Sequence, residues 1–155
     1  MGATTDLDLS WKPVPVGAQI MRCQWCNGAP GIGLYFAKAY EVLRDEAYLA
    51  MAVAAGEAAY AYGNGRANPT YCHGLAGNTE LLIELHRVTG RGQWLGQAHN
   101  FARRMLAYRT STPQGESWSS DAPPLSAPDF LCGAAGVGQV FPRLRNPHDV
   151  PMALL

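Results

Sequence analysis

Three segments of this 155-residue chain set a cysteine against a short glycine turn: Cys26-Asn27-Gly28-Ala29-Pro30-Gly31, Cys72-His73-Gly74-Leu75-Ala76-Gly77 and Leu131-Cys132-Gly133-Ala134-Ala135-Gly136. Thiolate sulfur and imidazole nitrogen are zinc donors, and a catalytic zinc site holds its ion by three protein ligands with a fourth position open. Cys26 and Cys72 take matching places before their turns, and His73 adjoins Cys72. If the turns face one another, all three donors converge. Both cysteines would also lie near helix N-termini, where the macrodipole favours a thiolate over a thiol. The remaining thiols keep other chemistry open. Cys23 and Cys26 form a C-x-x-C, which as a redox dithiol would need a βαβ context that the sequence does not display. A closed structural zinc site of Cys23, Cys26, Cys72 and His73 would have a complete set of four ligands. Cys132, at the third turn, reads as a buried thiol or a spare ligand.

The elements that must position these residues are helices. After the first turn Ile32, Tyr35, Phe36, Ala39, Val42 and Leu43 recur at i, i+3, i+4 and i+7, which predicts a helix over 31–43 with one apolar face. An alanine-rich stretch predicts a second helix over 46–61, closed by Gly63-Asn64-Gly65. The second unit copies the plan. Leu75, Leu82, Leu85 and Val88 mark one helix, Gly90-Arg91-Gly92 breaks it, and Trp94, Ala98, Phe101, Met105 and Leu106 mark the next. Residues 110–128, rich in Pro, Ser and Thr, read as a long loop before the third turn and a last short helix. Pro142 predicts that this last helix is kinked or short. No alternating strand run is visible, so the fold class is all-α: repeated helix pairs with Gly-x-x-Gly turns at the N-terminus of each first helix. Glycine there lets backbones crowd a common centre. Residues 1–20, with Pro13, Pro15 and Gly17, read as an extended lead-in, and 21–155 as one domain.

Composition narrows the function classes. Lys plus Arg and Asp plus Glu are equal at 12 each, so no basic field exists to grip a phosphate backbone, and nucleic acid is not an expected partner. The most apolar stretch, Ala47 to Tyr62, is interrupted by Glu57 and falls short of a membrane span. The N-terminus lacks both the positive start and the apolar core of a secretory signal, which places the protein in the cytoplasm. Four cysteines are too few for a disulfide scaffold and in that compartment suit ligands, redox groups or buried thiols.

The segment from Arg22 through Cys26 to Gly31, followed by Tyr71-Cys72-His73-Gly74-Leu75-Ala76-Gly77, resembles the paired zinc motifs of LanC-like proteins, the lanthionine synthetase cyclases. The likeness covers residues 20–155. The ending, Arg143-Leu144 and Asn146-Pro147-His148-Asp149-Val150-Pro151, is similar to the C-terminus of such cyclases within larger bacterial lanthipeptide synthetases. The resemblance implies part of an (α/α) toroid with Zn2+ near its centre, held by Cys26, Cys72 and His73, the fourth position accepting a substrate thiol. It implies a cyclase that adds a peptide cysteine to dehydroalanine or dehydrobutyrine in a dehydrated precursor peptide, forming thioether rings. Arg22 falls on a family active-site arginine and takes a catalytic, electrostatic role. Trp25 falls on the aromatic beside the first ligand, where packing is its expected duty.

The sequence departs from the family pattern in ways that bear on turnover. The family's catalytic His and Asp lie upstream of the first zinc motif, and no residue here replaces them by motif. His86 and His99 read as surface or packing residues within helices, and His148 sits in the closing loop. Three glycine turns are about half of what a whole toroid needs. The alternative is therefore a truncated, catalytically incompetent zinc-binding or partner-dependent interaction protein with a structural zinc site; the missing N-terminal cyclase or dehydratase part is a further expected partner.

Overall fold

The computed structural model describes residues 23–63, 68–122 and 125–154. The expected lead-in over 1–20 and Arg22 lie outside the described residues. The helix pairs are α1 (Ala29–Leu43) with α2 (Glu46–Gly63), and α3 (Leu75–Thr89) with α4 (Gly92–Met105). A 3-10 turn, Leu106–Tyr108, leads to strands β1 (Arg109–Thr112) and β2 (Gly115–Trp118), and α5 (Ala134–Arg145) is the last helix among the described residues. The all-α expectation stands. Among the described residues, the departure from it is the antiparallel β1–β2 hairpin inside the stretch read as loop. Its Thr and Ser residues suit extended backbone, and Gly115 takes the positive φ of 129° that follows Pro113-Gln114.

The local reasons for these boundaries are ordinary ones. Pro30 sits in the first turn of α1, where its missing N–H costs nothing. Arg44 and Gly90 end α1 and α3 in the left-handed conformation, each returning its N–H to the carbonyl four residues back. Helix α5 runs through Pro142 to Arg145.

Helix α3 is the axis of the packing. Every residue from Leu75 to Leu85 is buried, and α3 touches α1, α2, α4 and α5. Its acidic residues Glu80 and Glu84 meet an arginine of α5. Arg143, 1% exposed, donates from Nη1 to Glu80 Oε2 at 2.6 Å and from Nη2 to Glu84 Oε1. Arg87 then joins Glu84 at 2.9 Å and Glu41 of α1 at 2.6 Å. One chain of ion pairs thus ties α5, α3 and α1 together.

Helix α1 buries a different face from the stripe its apolar periodicity marks. Gly33, Leu34 and Ala37 turn inward, where Ala55 and Leu81 lie so close that only small residues fit at 33. The larger Tyr35, Val42 and Leu43 are 68%, 70% and 62% exposed. Small residues on α2, among them Ala52, Ala55 and Ala59, complete this close approach, so bulk is pushed to the outside.

Candidate metal centre

The three glycine turns are built on one template. Gly28, Gly74 and Gly133 are the N-caps of α1, α3 and α5. The second glycine of each turn lies against the backbone carbonyl of the aromatic six residues earlier. A Cβ on Gly31 would meet Trp25 O at 2.1 Å, on Gly77 it would meet Tyr71 O at 2.1 Å, and on Gly136 it would meet Phe130 O at 1.9 Å. No side chain can occupy those positions without moving backbone. The turns also stack on each other. Trp25 packs its Cβ against Gly77 and Tyr71 packs its Cβ against Gly136. Their rings follow, with centroids 5.5 Å apart for Trp25 and Tyr71 and 4.8 Å for Tyr71 and Phe130. Trp25 therefore packs, as expected. A backbone bond from Cys72 N–H to Leu131 O at 2.7 Å fastens the second turn to the third.

This stacking brings the cysteines together. Donor atoms of Cys26, Cys72 and His73 all lie within 4.8 Å of one another. Cys26 is exposed, Cys72 is buried and His73 lies between these extremes. Burial pushes the Cys72 thiol up to about 12, and its hydrogen bond and proximity to Cys26 add to the shift. Two thiolates at this spacing need a cation between them, and a coordinated thiol gives up its proton. The donor set, two sulfurs and an imidazole, is of a kind that could hold a metal ion.

A second group shares His73. Asp121 and Cys132 place donor atoms within 4.8 Å of it and of each other. His73 Nδ1 is in direct hydrogen-bond contact with Asp121 Oδ2. Asp121 Oδ1 accepts from Asn68 Nδ2 at 3.0 Å and from Thr70 Oγ1. Partial burial raises the Asp121 carboxyl, but hydrogen bonds from Thr70, His73 and Cys132 outweigh it and hold the group below the usual aspartate range. Burial and the bond to Asp121 push the Cys132 thiol up to about 11.

Asp121 is the residue that sequence reading missed, because it belongs to no turn and no spacing marks it. The hairpin delivers it. Trp118, at the end of β2, donates from Nε1 to Met105 O at 3.1 Å and stacks on Phe141 of α5 at 5.7 Å. Ser120 N–H then bonds Leu125 O at 2.8 Å, which fixes the loop at Asp121.

The other candidates fall away from the centre. Cys23 belongs to neither donor group and is 3% exposed, its thiol pushed up to about 11 by burial. A four-ligand site using Cys23 has no support in this geometry. His86 hydrogen-bonds the Arg91 carbonyl at 3.2 Å and faces His148 at 6.1 Å between centroids, while His99 is exposed.

Beside Cys26 opens a cavity of about 950 Å³ lined by Trp25, Gly31, Ile32, Tyr35, Phe36 and Met152, among others. It is walled by the outward stripe of α1. Among the described residues no helix is long and apolar enough to cross a membrane.

The family of lanthionine synthetase C-like proteins matches this sequence over residues 4–155, and the chain belongs to it. A curated relative, glutathione S-transferase LANCL1 of Danio rerio, is 28% identical over 99 residues. The matched segment is 64% of this chain and 24% of that protein, so the chain spans about a quarter of the relative's length.

Proposed function

We propose that this chain carries the zinc-binding, thiol-activating part of a lanthionine cyclase, with Cys26, Cys72 and His73 as ligands and a peptide cysteine as substrate. The observation that carries the reading is the convergence of those three donors at the stacked glycine turns. Bound zinc would supply a Lewis acid that lowers a thiol's pKa, so that a nucleophilic sulfur is available at neutral pH.

The chain's own residues do the rest of what this part requires. Cys26, exposed at the edge of the cavity, leaves the site open on the side from which a peptide approaches. Trp25, Ile32, Tyr35 and Phe36 offer that peptide an apolar wall. In the reaction a C–S bond forms at the β-carbon of a dehydroalanine or dehydrobutyrine as its C=C π bond breaks. The thiol's proton is balanced by one delivered to the α-carbon. Arg22, four residues before the first ligand, is proposed to steady the charge that builds on the acceptor.

The proton donor to the α-carbon is proposed to come from further helix pairs, supplied in cis or in trans, because the family's upstream His and Asp have no motif counterpart in these residues. The named activity of the Danio rerio relative also concerns a thiol. That supports a thiol-bearing substrate here and leaves open a zinc-holding, partner-dependent chain without turnover of its own as the second reading.

The assay is thioether formation on a dehydrated peptide, followed by loss of free thiol and by alkylation-resistant mass. The isolated chain should bind zinc and cyclise no faster than buffer. Adding the upstream helix pairs should restore turnover, with Cys26→Ala and Cys72→Ala abolishing it. A positioned acid is worth about 10²–10⁴-fold. Robust cyclisation by the isolated chain would mean that the acid lies within these residues.

A further inference from the structure

We infer that Asp121 is a positioning residue of the metal centre, holding Nδ1 of His73 so that the ring presents Nε2 to the ion; this rests on the zinc reading above. The contact is direct, between His73 Nδ1 and Asp121 Oδ2. Asp121 is not part of the group that Cys26, Cys72 and His73 form, and its contact with that group is made through the ring nitrogen of His73. The carboxylate therefore acts on the histidine rather than on the metal.

Three observations make Asp121 a prepared support. Its other oxygen is held by Asn68 Nδ2 at 3.0 Å and by Thr70 Oγ1, both within five residues of His73 on the same turn. Asn68 Oδ1 in turn accepts from Thr70 N–H at 3.0 Å, so the support is itself braced. The loop that brings Asp121 is anchored on α4 and α5 through Trp118. A neutral imidazole has two tautomers, and an acceptor fixed at Nδ1 selects the one with its proton there, leaving the Nε2 lone pair free. A carboxylate in that place also raises the basicity of the ligand.

The test measures zinc affinity of the 155-residue chain by competition with a chromophoric chelator, alongside His73 ring 15N shifts in the zinc-loaded protein. Asp121→Ala should weaken zinc by about 10–100-fold. Asp121→Asn, which keeps an oxygen acceptor, should fall between that variant and the unsubstituted chain. The ring shifts of the unsubstituted protein should show a protonated Nδ1 and a metal-bound Nε2, a readout that requires no variant to fold. Affinity of Asp121→Ala within about twofold of the unsubstituted chain, or zinc on Nδ1, would overturn the inference while Cys72→Ala still lost the metal. An unsubstituted chain that binds no zinc would overturn the underlying reading together with it.

Discussion

Tyr71 lies across Gly136, its Cβ 2.8 Å from where a Cβ on that glycine would sit. Because the same point is 1.9 Å from the Phe130 carbonyl, neither neighbour can yield without moving a turn. Gly136→Ala and Gly77→Ala should each destabilise by about 1–3 kcal/mol or more, as overpacking does. Gly96→Ala is the control, since nothing lies within 4 Å of its added Cβ in α4. It should stabilise by about 0.5–1 kcal/mol. Urea midpoints of the three variants check both signs.

Arg143 bridges Glu80 and Glu84 in the interior, and its removal leaves two acids buried together. Arg143→Met should cost about 3–5 kcal/mol. The loss should appear in the urea midpoint before any effect on zinc affinity, because the ion pairs lie among α1, α3 and α5 rather than at the thiols.

Glu80 gives the fold a pH dependence of definite sign. Burial raises its carboxyl to about 7, with Arg143 of α5 opposing the shift and Glu84 adding to it. Tyr71 and Arg143 also face this site. The folded value stands above the ordinary 4.5, so the native state holds the extra proton in that interval. Glu80's contribution is complete below the lower value and is lost as pH rises through the higher one. Stability from this group should decline between about pH 5 and 8, and Glu80→Gln should flatten that slope in urea titrations.

The helices and the turns that carry Cys26, Cys72 and His73 were legible in the sequence because their causes are local. Gly28, Gly74 and Gly133 mark helix starts, Gly90 marks a stop, and Cys26, Cys72 and His73 sit at fixed offsets from those turns. The face that α1 buries was not legible. Periodicity detects the larger apolar residues, whereas contact with α2 selected the small ones, Gly33 and Ala37. The hairpin was hidden because its strands are four residues each and carry no apolar alternation. Asp121 was hidden for a related reason. It reaches His73 across 48 positions of sequence, and only the docking of Trp118 on Met105 and Phe141 brings it there.

Cys132 should be dispensable for the metal. Its thiol lies near His73 and hydrogen-bonds Asp121, but it stands outside the group formed by Cys26, Cys72 and His73. Cys132→Ser should leave zinc affinity within about threefold of the unsubstituted chain, against losses of 10-fold or more, roughly, for a ligand or its supporting residue. Chelator competition on the two proteins side by side reads the difference.

X-ray absorption on the zinc-loaded chain tests the central claim most directly, because it counts sulfurs around the ion. The resting protein should show two sulfurs at about 2.3 Å with nitrogen or oxygen at about 2.0–2.1 Å, and a third sulfur should enter when a small thiol is added. Three sulfurs at rest, unchanged by added thiol, would contradict an open three-ligand site and identify a closed structural one.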